Sequence, residues 1–256
     1  EVMVMAYPTR KSAVLRIAAT LGAVCLLVAA ALLATETSGP QGEAAQTPNA
    51  ALPGTPGVPA SPTPAPFTVV VDAGHGGSDG GAVGLNTGVV EAGLDLDYAL
   101  CLKAELEARG VSVALTRTDE NALGKDKRSD MAARKAVMNG CGANAVVSVH
   151  MNKFKDRSVS GPMAFYMQGA GEGQALAQAV IDGVCEALGR ASRLANPGDY
   201  YMIRESEAPA VIIECGFLSN AEDEALIQTE EYRNAVVRGV ADGVLAFLNG
   251  NHSAIS

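Results

Sequence analysis

The chain has 256 residues, of which 48% are hydrophobic, and its formal net charge is −9. All of that net charge lies in residues 67–256, which contain 25 acidic and 16 basic residues. No basic face is evident in this acidic region, which argues against nucleic acid as a partner.

The N-terminal segment, residues 1–34, is basic at first and then apolar. Arg10, Lys11 and Arg16 precede residues 17–34, an uncharged stretch of 18 residues at the lower limit for a membrane span. The early positive charges place the N-terminus in the cytoplasm and the rest of the chain outside. A cleaved signal peptide is the alternative, but no clear small-x-small site precedes the next segment, which favours an anchor. Either interpretation predicts an extracytoplasmic protein, membrane-anchored or secreted, in the cell envelope.

The next segment, residues 35–66, contains eight of the twelve prolines. Such a composition predicts a disordered, extended linker. Residues 67–250 have a globular composition and are long enough to bury a core, so we expect one domain there. Residues 251–256 form a polar tail, in which we assign no role to His252.

Strand and helix patterns alternate along this domain, which predicts an α/β fold with a mostly parallel or mixed sheet covered by helices on both faces. Asn220 and Thr229 have the character of helix N-caps. The predicted strands occupy residues 67–71, 111–115, 145–149, 163–167, 200–203 and 210–213, and the predicted helices occupy residues 93–109, 129–139, 174–188 and 230–248.

Three of the predicted strands lead into residues that suit metal hydrolysis. His75 follows the first strand closely, His150 ends the third and Glu214 ends the last. Ligands bind beyond the carboxyl ends of strands in open α/β sheets, so we expect these side chains to meet there. The two histidines would bind zinc, and a glutamate beside a metal can act as a general base on water.

A third ligand is less clear from spacing alone. Glu91 precedes the first long helix, and its simpler interpretation is a helix-start acid stabilised by the helix dipole. The glycine-rich segment after the first strand gives neither G-x-G-x-x-G leading into a helix nor a P-loop, so a nucleotide site is not supported. Arg117 and Arg128 are candidates for binding an anionic substrate, with solvation on a loop or helix surface as the default.

The domain's cysteines are Cys101, Cys141, Cys185 and Cys215. They form no Cys-x-x-Cys pair, which excludes a zinc knuckle and a dithiol redox motif. Their apolar surroundings predict small buried hydrophobic residues rather than disulfides. Because side chains alternate along a strand, Cys215 should face away from any site that Glu214 faces.

Four motifs, in this order, resemble those of the zinc-dependent N-acetylmuramoyl-L-alanine amidases (amidase type 3). They are Val70-Val71-Asp72-Ala73-Gly74-His75-Gly76-Gly77, Glu91, Ser148-Val149-His150-Met151-Asn152 and Ile213-Glu214-Cys215-Gly216-Phe217-Leu218-Ser219-Asn220. The resemblance implies a twisted sheet of about six strands and one zinc ion per chain. It also implies that His75, Glu91 and His150 bind the zinc, with Glu214 as the catalytic acid/base.

Residues 130–154 and 200–210 are most similar to the germination-specific, spore-cortex branch of the family. That branch removes the peptide from muramic acid before muramic-δ-lactam forms, which implies peptidoglycan as substrate, a forespore-cortex location and a possible activator protein. Two departures from the family pattern are Ala92-Gly93 and Ala133-Arg134. Neither departure is expected to touch a ligand. A zinc peptidase acting within the stem peptide and a non-catalytic wall-binding module are the alternatives.

Overall fold

The computed structural model describes residues 67–253. The predicted membrane segment, the linker and the last three residues lie outside the described part of the chain. Within residues 67–253, no helix is both long and apolar enough to span a membrane. The strands are β1 (Thr68–Ala73), β2 (Ser112–Leu115), β3 (Ala145–Asn152), β4 (Met163–Met167), β5 (Asn196–Gly198) and β6 (Ala210–Phe217). The helices are α1 (Glu91–Ala108), α2 (Lys127–Gly140), α3 (Gly171–Ala187), α4 (Tyr201–Arg204), α5 (Ala221–Ile227) and α6 (Glu230–Ser253).

The six strands form one sheet in the order β2-β1-β3-β6-β4-β5. Neighbours are parallel from β2 to β6, so the carboxyl ends of β1, β3 and β6 share an edge. β4 runs antiparallel to β6, and β5 is parallel to β4. This arrangement confirms the prediction of a mixed, mostly parallel sheet of about six strands.

Helices cover both faces of the sheet, as predicted. The larger core lies between one face and α1, α3 and α6, and the smaller core lies between the other face and α2 and α4. Successive side chains of a strand point to opposite faces of the sheet, so each strand contributes to both cores. In β3, Val147 and Val149 belong to the larger core, and Val146 belongs to the smaller one. Their near-complete burial removes large apolar areas from water and stabilises the domain.

Several element predictions are confirmed, one is wrong and one short strand was missed. The Asn220 side chain accepts hydrogen bonds from the first turn of α5, and Thr229 accepts one from the backbone of Tyr232 at the start of α6. The strand predicted at residues 200–203 is instead the short helix α4, and β5 was not predicted. Aromatic and β-branched side chains favoured a strand there, but Met202 and Ile203 are buried in the smaller core from a helical turn.

β3 and β6 continue past His150 and Glu214, which were predicted to end them, as far as Asn152 and Phe217. The last helix, α6, extends to Ser253, so His252 lies in a helix and not in a tail after it.

The four cysteines of the described residues are free. Cys185 and Cys215 are buried and Cys101 is half-buried, in keeping with the prediction. Cys141 is exposed, because it lies at the C-terminal cap of α2 and not on a buried helix face.

Candidate active site

Parallel register brings His150 and Glu214 side by side, since they are paired residues of β3 and β6. The same alternation turns Cys215 into the larger core, as expected. His75 lies two residues beyond β1 and is the one non-glycine residue with positive φ (55°) in residues 67–253. Left-handed backbone is uncommon for a non-glycine residue and costs roughly 1–3 kcal/mol. Such a conformation is typical of a functional position.

Glu91 joins the two histidines. Its Oε1 lies 3.1 Å from Nε2 of His75 and 3.1 Å from Nδ1 of His150. The backbone N–H of Met151 donates to the same oxygen, and that of Ala82 donates to Oε2 at 2.6 Å. Burial opposes ionisation, but the hydrogen bonds from His150 and His75 hold the pKa of Glu91 well below its usual value. Glu91 is the first residue of α1 and not a loop residue, so its helix-start position and its contact with both histidines coexist.

Two glycines let these groups approach. A Cβ at Gly74 would collide with the imidazole of His150. A Cβ at Gly81, where φ is +69°, would lie 2.5 Å from Oε2 of Glu91 and 2.7 Å from Cδ2 of His75. Both positions therefore need glycine for close approach, and Gly81 also needs it for its backbone conformation.

Glu214 lies next to this cluster without joining it. Its Oε2 is buried and has no hydrogen-bond partner within the described part of the chain. Burial raises the pKa of Glu214 to about 7; His150 and His75 oppose the shift, and the charge of Glu91 adds to it. A carboxyl group that titrates near neutrality is suited to both accepting and returning a proton.

A second carboxylate, that of Asp79, contacts the ring nitrogen of His75 that does not face Glu91. Oδ1 of Asp79 lies 2.9 Å from Nδ1 of His75, and Lys127 at the start of α2 contacts the other oxygen. Burial alone would raise the pKa of Asp79, but Lys127 and His75 lower that pKa to about 2. Burial alone would lower the pKa of His75, and its hydrogen bonds to Glu91 and Asp79 raise it. Carboxylates placed in this way fix the orientation of metal-binding histidines.

Arg134 supports the loop that carries His75, contrary to the expectation that it touches no proposed ligand. Its side chain is 2% exposed and pairs with Asp72 and Asp130 at 2.6 and 2.9 Å. It also donates to the carbonyl oxygens of Ala73 and His75. A buried guanidinium can make all these bonds because its five N–H donors have a fixed planar geometry.

The two arginines proposed for an anionic substrate are not brought together at the site. Arg117 is buried and donates only to backbone carbonyls, those of Ala73, Gly74, Ala92 and Asp119. Its role is therefore to fix the loops around His75 and Glu91. Arg128 is exposed on α2 and does not line the cavity described below.

A cavity of about 440 Å³ opens in front of the cluster. His75, Glu91, His150 and Glu214 line its floor. The rest of its lining includes apolar, aromatic and charged side chains, among them Asp72, Lys127, Met131, Arg134, Lys153, Tyr200, Tyr201, Met202 and Ile212. The volume suits a substrate of drug size or a short segment of a polymer.

The donor set fits a zinc ion. His75, Glu91, Asp95 and His150 each offer a ligand atom, and these atoms lie within 4.8 Å of one another. Two imidazole nitrogens facing a single carboxylate oxygen are typical of a His₂Glu centre, which leaves a position open for water. Both oxygens of Asp95 are buried without a hydrogen-bond partner. Burial and the charges of Glu91 and Glu214 raise the pKa of Asp95, and a bound cation would offset this.

Asp79, Asp95 and Arg134 were not identified as site residues from the sequence. The available signal for Asp95 is its spacing of four from Glu91 on α1, which places both carboxylates on one helix face. Asp79 follows His75 by four residues in the glycine-rich loop, where no periodic pattern fixes its direction.

Comparison with known proteins agrees with this geometry. Residues 69–246 match the family model described as N-acetylmuramoyl-L-alanine amidase. The germination-specific N-acetylmuramoyl-L-alanine amidase of Bacillus subtilis is 28% identical over 188 residues, covering 70% of this chain and 78% of that protein.

Solved structures give the same result. The CwlD amidase from Clostridioides difficile, in complex with the GerS lipoprotein, has a TM-score of 0.69 and 28% identity, covering 72% of this chain and 99% of that one. The catalytic domain of the amidase CwlV from Bacillus (Paenibacillus) polymyxa has a TM-score of 0.65 and 34% identity, with coverage of 72% and 98%. The resemblance inferred from the four motifs is confirmed, and the chain belongs to the N-acetylmuramoyl-L-alanine amidase family.

Proposed function

We propose that this protein is a zinc-dependent peptidoglycan hydrolase that cleaves the amide bond between N-acetylmuramic acid and L-alanine of the stem peptide. The observation that carries the proposal is the convergence of His75, Glu91 and His150 on the floor of the cavity, with Glu214 beside them. Family membership supports the reaction, and the donor set supports the metal.

The metal would be held by Nε2 of His75, Oε1 of Glu91 and Nδ1 of His150, which already face one another. Bound zinc would supply a Lewis acid that lowers the pKa of water and polarises a carbonyl oxygen. Asp79 would keep Nε2 of His75 directed into the site by accepting a hydrogen bond from Nδ1.

Glu214 is assigned the proton transfers. In its ionised form it removes a proton from the attacking water, and it then delivers that proton to the nitrogen of the departing L-alanine. Burial raises its pKa to about 7 in the metal-free protein, which favours return of the proton, and a bound cation would favour the ionised form that accepts it. Its buried Oε2 has no competing partner among residues 67–253, which leaves it free for the reacting water.

The cavity walls suit a glycan–peptide junction. Met131, Met202 and Ile212 offer apolar contacts for methyl groups, and the exposed Lys153 offers positive charge for a carboxylate of the stem peptide.

The cellular role that we propose is cortex maturation in spores, where peptide removal precedes formation of muramic-δ-lactam. The germination-specific relative supports this assignment. The relative solved in complex with a lipoprotein supports a partner protein for this chain, and we propose that such a partner activates the enzyme. We also propose an extracytoplasmic catalytic domain, residues 67–250, preceded by a linker at 35–66 and followed by a tail at 251–256, whose first residues continue α6 as far as Ser253. Residues 1–34 would be a membrane anchor or signal peptide.

Mass spectrometry of purified peptidoglycan after digestion tests the reaction, with metal analysis of the same enzyme sample. We expect stem peptides with a free N-terminal L-alanine, glycan strands with a free lactyl carboxylate, and one zinc ion per chain. Cleavage products that retain L-alanine on muramic acid would instead identify a peptidase acting within the stem. Binding to peptidoglycan without any product, in the presence of zinc, would indicate a wall-binding module.

A further inference from the structure

Asp95 is the buried acidic residue of the site that the proposed mechanism does not use. It lies one helical turn after Glu91 on α1 and is 0% exposed. Neither carboxylate oxygen has a hydrogen-bond partner within the described chain. Buried carboxylates are normally hydrogen-bonded or paired, because transfer of an unpaired charge from water is costly.

The neighbours of Asp95 do not supply the missing partner. The nearby buried cation is Arg117, and its N–H groups are already directed at backbone carbonyls, including those of Gly74 and Ala92. The nearest nitrogen of an ionisable side chain is Nδ1 of His150, 3.9 Å from Oδ2, beyond hydrogen-bond distance. That nitrogen also faces Glu91 at 3.1 Å and is therefore committed to the ligand cluster.

The position of Asp95 relative to the cavity separates it from the ligands. His75, Glu91 and His150 line the cavity, whereas Asp95 does not. It therefore lies on the protein side of the cluster, with its nearest ligand-type oxygen within 4.8 Å of the three ligand atoms. A catalytic zinc site retains three protein ligands and one open position, so a fourth protein ligand is not required.

We propose that Asp95 is a positioning residue of the metal centre: its carboxylate does not bind the zinc, but strengthens zinc binding by electrostatic attraction from behind the ligands. With Glu91 it supplies two negative charges, which balance the charge of a divalent ion in surroundings where water is excluded. Charges interact more strongly in such surroundings than at the surface. This inference rests on the proposed zinc site.

The test compares metal-free full-length wild type, Asp95→Asn and Asp97→Asn by zinc titration against a chromophoric chelator. Asp97 is exposed on the same helix and provides the matched control. We expect Asp95→Asn to weaken zinc binding by about 10- to 100-fold, the usual effect of losing such a supporting group. Asp97→Asn should bind zinc with wild-type affinity.

Thermal unfolding of the same samples separates this role from a purely structural one. Asp95→Asn should leave the melting temperature of the metal-free protein unchanged or higher, because it removes an ionisable buried group whose charge has no partner among the described residues, and should reduce the increase that zinc produces. If Asp95→Asn folds poorly, Asp95→Ser removes the same charge and should weaken zinc binding in the same direction.

Wild-type zinc affinity in both Asp95 variants would overturn the inference and leave the proposed function intact. Failure of the wild type itself to bind zinc would overturn both. X-ray absorption at the zinc edge should show the same number of nitrogen and oxygen ligands in wild type and Asp95→Asn. Loss of one oxygen ligand would show that Asp95 binds the metal directly and would refute its placement behind the ligands.

Discussion

Substitution of Arg134 by methionine is expected to destabilise the domain strongly. The change removes a buried guanidinium that pairs with Asp72 and Asp130 and leaves both carboxyl groups without a cation. Breaking a buried ion pair from one side costs about 3–5 kcal/mol. The carbonyl oxygens of Ala73 and His75 also lose a donor, so the loop that carries His75 becomes less constrained.

Urea unfolding at pH 7 measures this effect as a lower free energy of unfolding. Arg128→Met is the matched control, because Arg128 lies on the same helix but is exposed, and its removal should change stability by less than about 0.5 kcal/mol. A loss below about 1 kcal/mol for Arg134→Met would refute the view that Arg134 holds this network together.

The pH dependence gives a second signature. Burial alone would raise the pKa of Asp72, but Arg134 and hydrogen bonds from Ser148 and Thr116 lower it below 3.8. A carboxyl group whose pKa is lower in the folded protein than in the unfolded chain stabilises the fold at pH values above its unfolded pKa. For Asp72 this stabilisation is lost as the pH falls below the ordinary pKa of 3.8 and through the lower pKa of the folded state. Arg134→Met lacks the stabilisation that comes from the pairing of Arg134 with Asp72. The difference in the free energy of unfolding between this variant and the wild type should therefore become smaller below pH 3.8.

Three further predictions concern the site. Glu214→Gln should lower peptide release by about 10²- to 10⁴-fold while zinc content stays unchanged, whereas His75→Ala should lose both; full activity of Glu214→Gln would exclude it as acid/base. Gly81→Ala should lower zinc content by metal analysis, because its methyl group meets His75 and Glu91, while Gly93→Ala, which meets nothing within 4 Å, should retain zinc. Zinc removal by a chelator should abolish peptide release, and added zinc should restore it; activity that persists without metal would contradict the mechanism.

The meeting of His150 and Glu214 was predictable from local pattern, although the exact strand ends were not. The apolar runs that lead into His150 and Glu214 can be identified in the sequence, and parallel pairing of the two strands then places these residues side by side. Glu91 was different, because its contact with both histidines depends on how α1 packs against the sheet. Spacing favoured a simple helix-start acid, and only the family resemblance pointed to the metal.

Residues that support the site from a distance were beyond sequence pattern. Arg134 lies on α2 and reaches Asp72 and the His75 carbonyl across 62 and 59 positions of sequence. Asp95 occupies a helix face whose direction is fixed only by tertiary packing. The error at residues 200–203 has a similar cause, since side-chain propensity is overridden by burial of Met202 and Ile203 in the smaller core.

Anomalous diffraction at the zinc edge from crystals of the zinc-loaded protein is the most direct test of the proposed zinc site. We expect a single peak per chain, in bonding contact with Nε2 of His75, Oε1 of Glu91 and Nδ1 of His150, with Glu214 near but not bound. A peak at another place in the domain, or a zinc ion bound by Glu214 in place of Glu91, would contradict it.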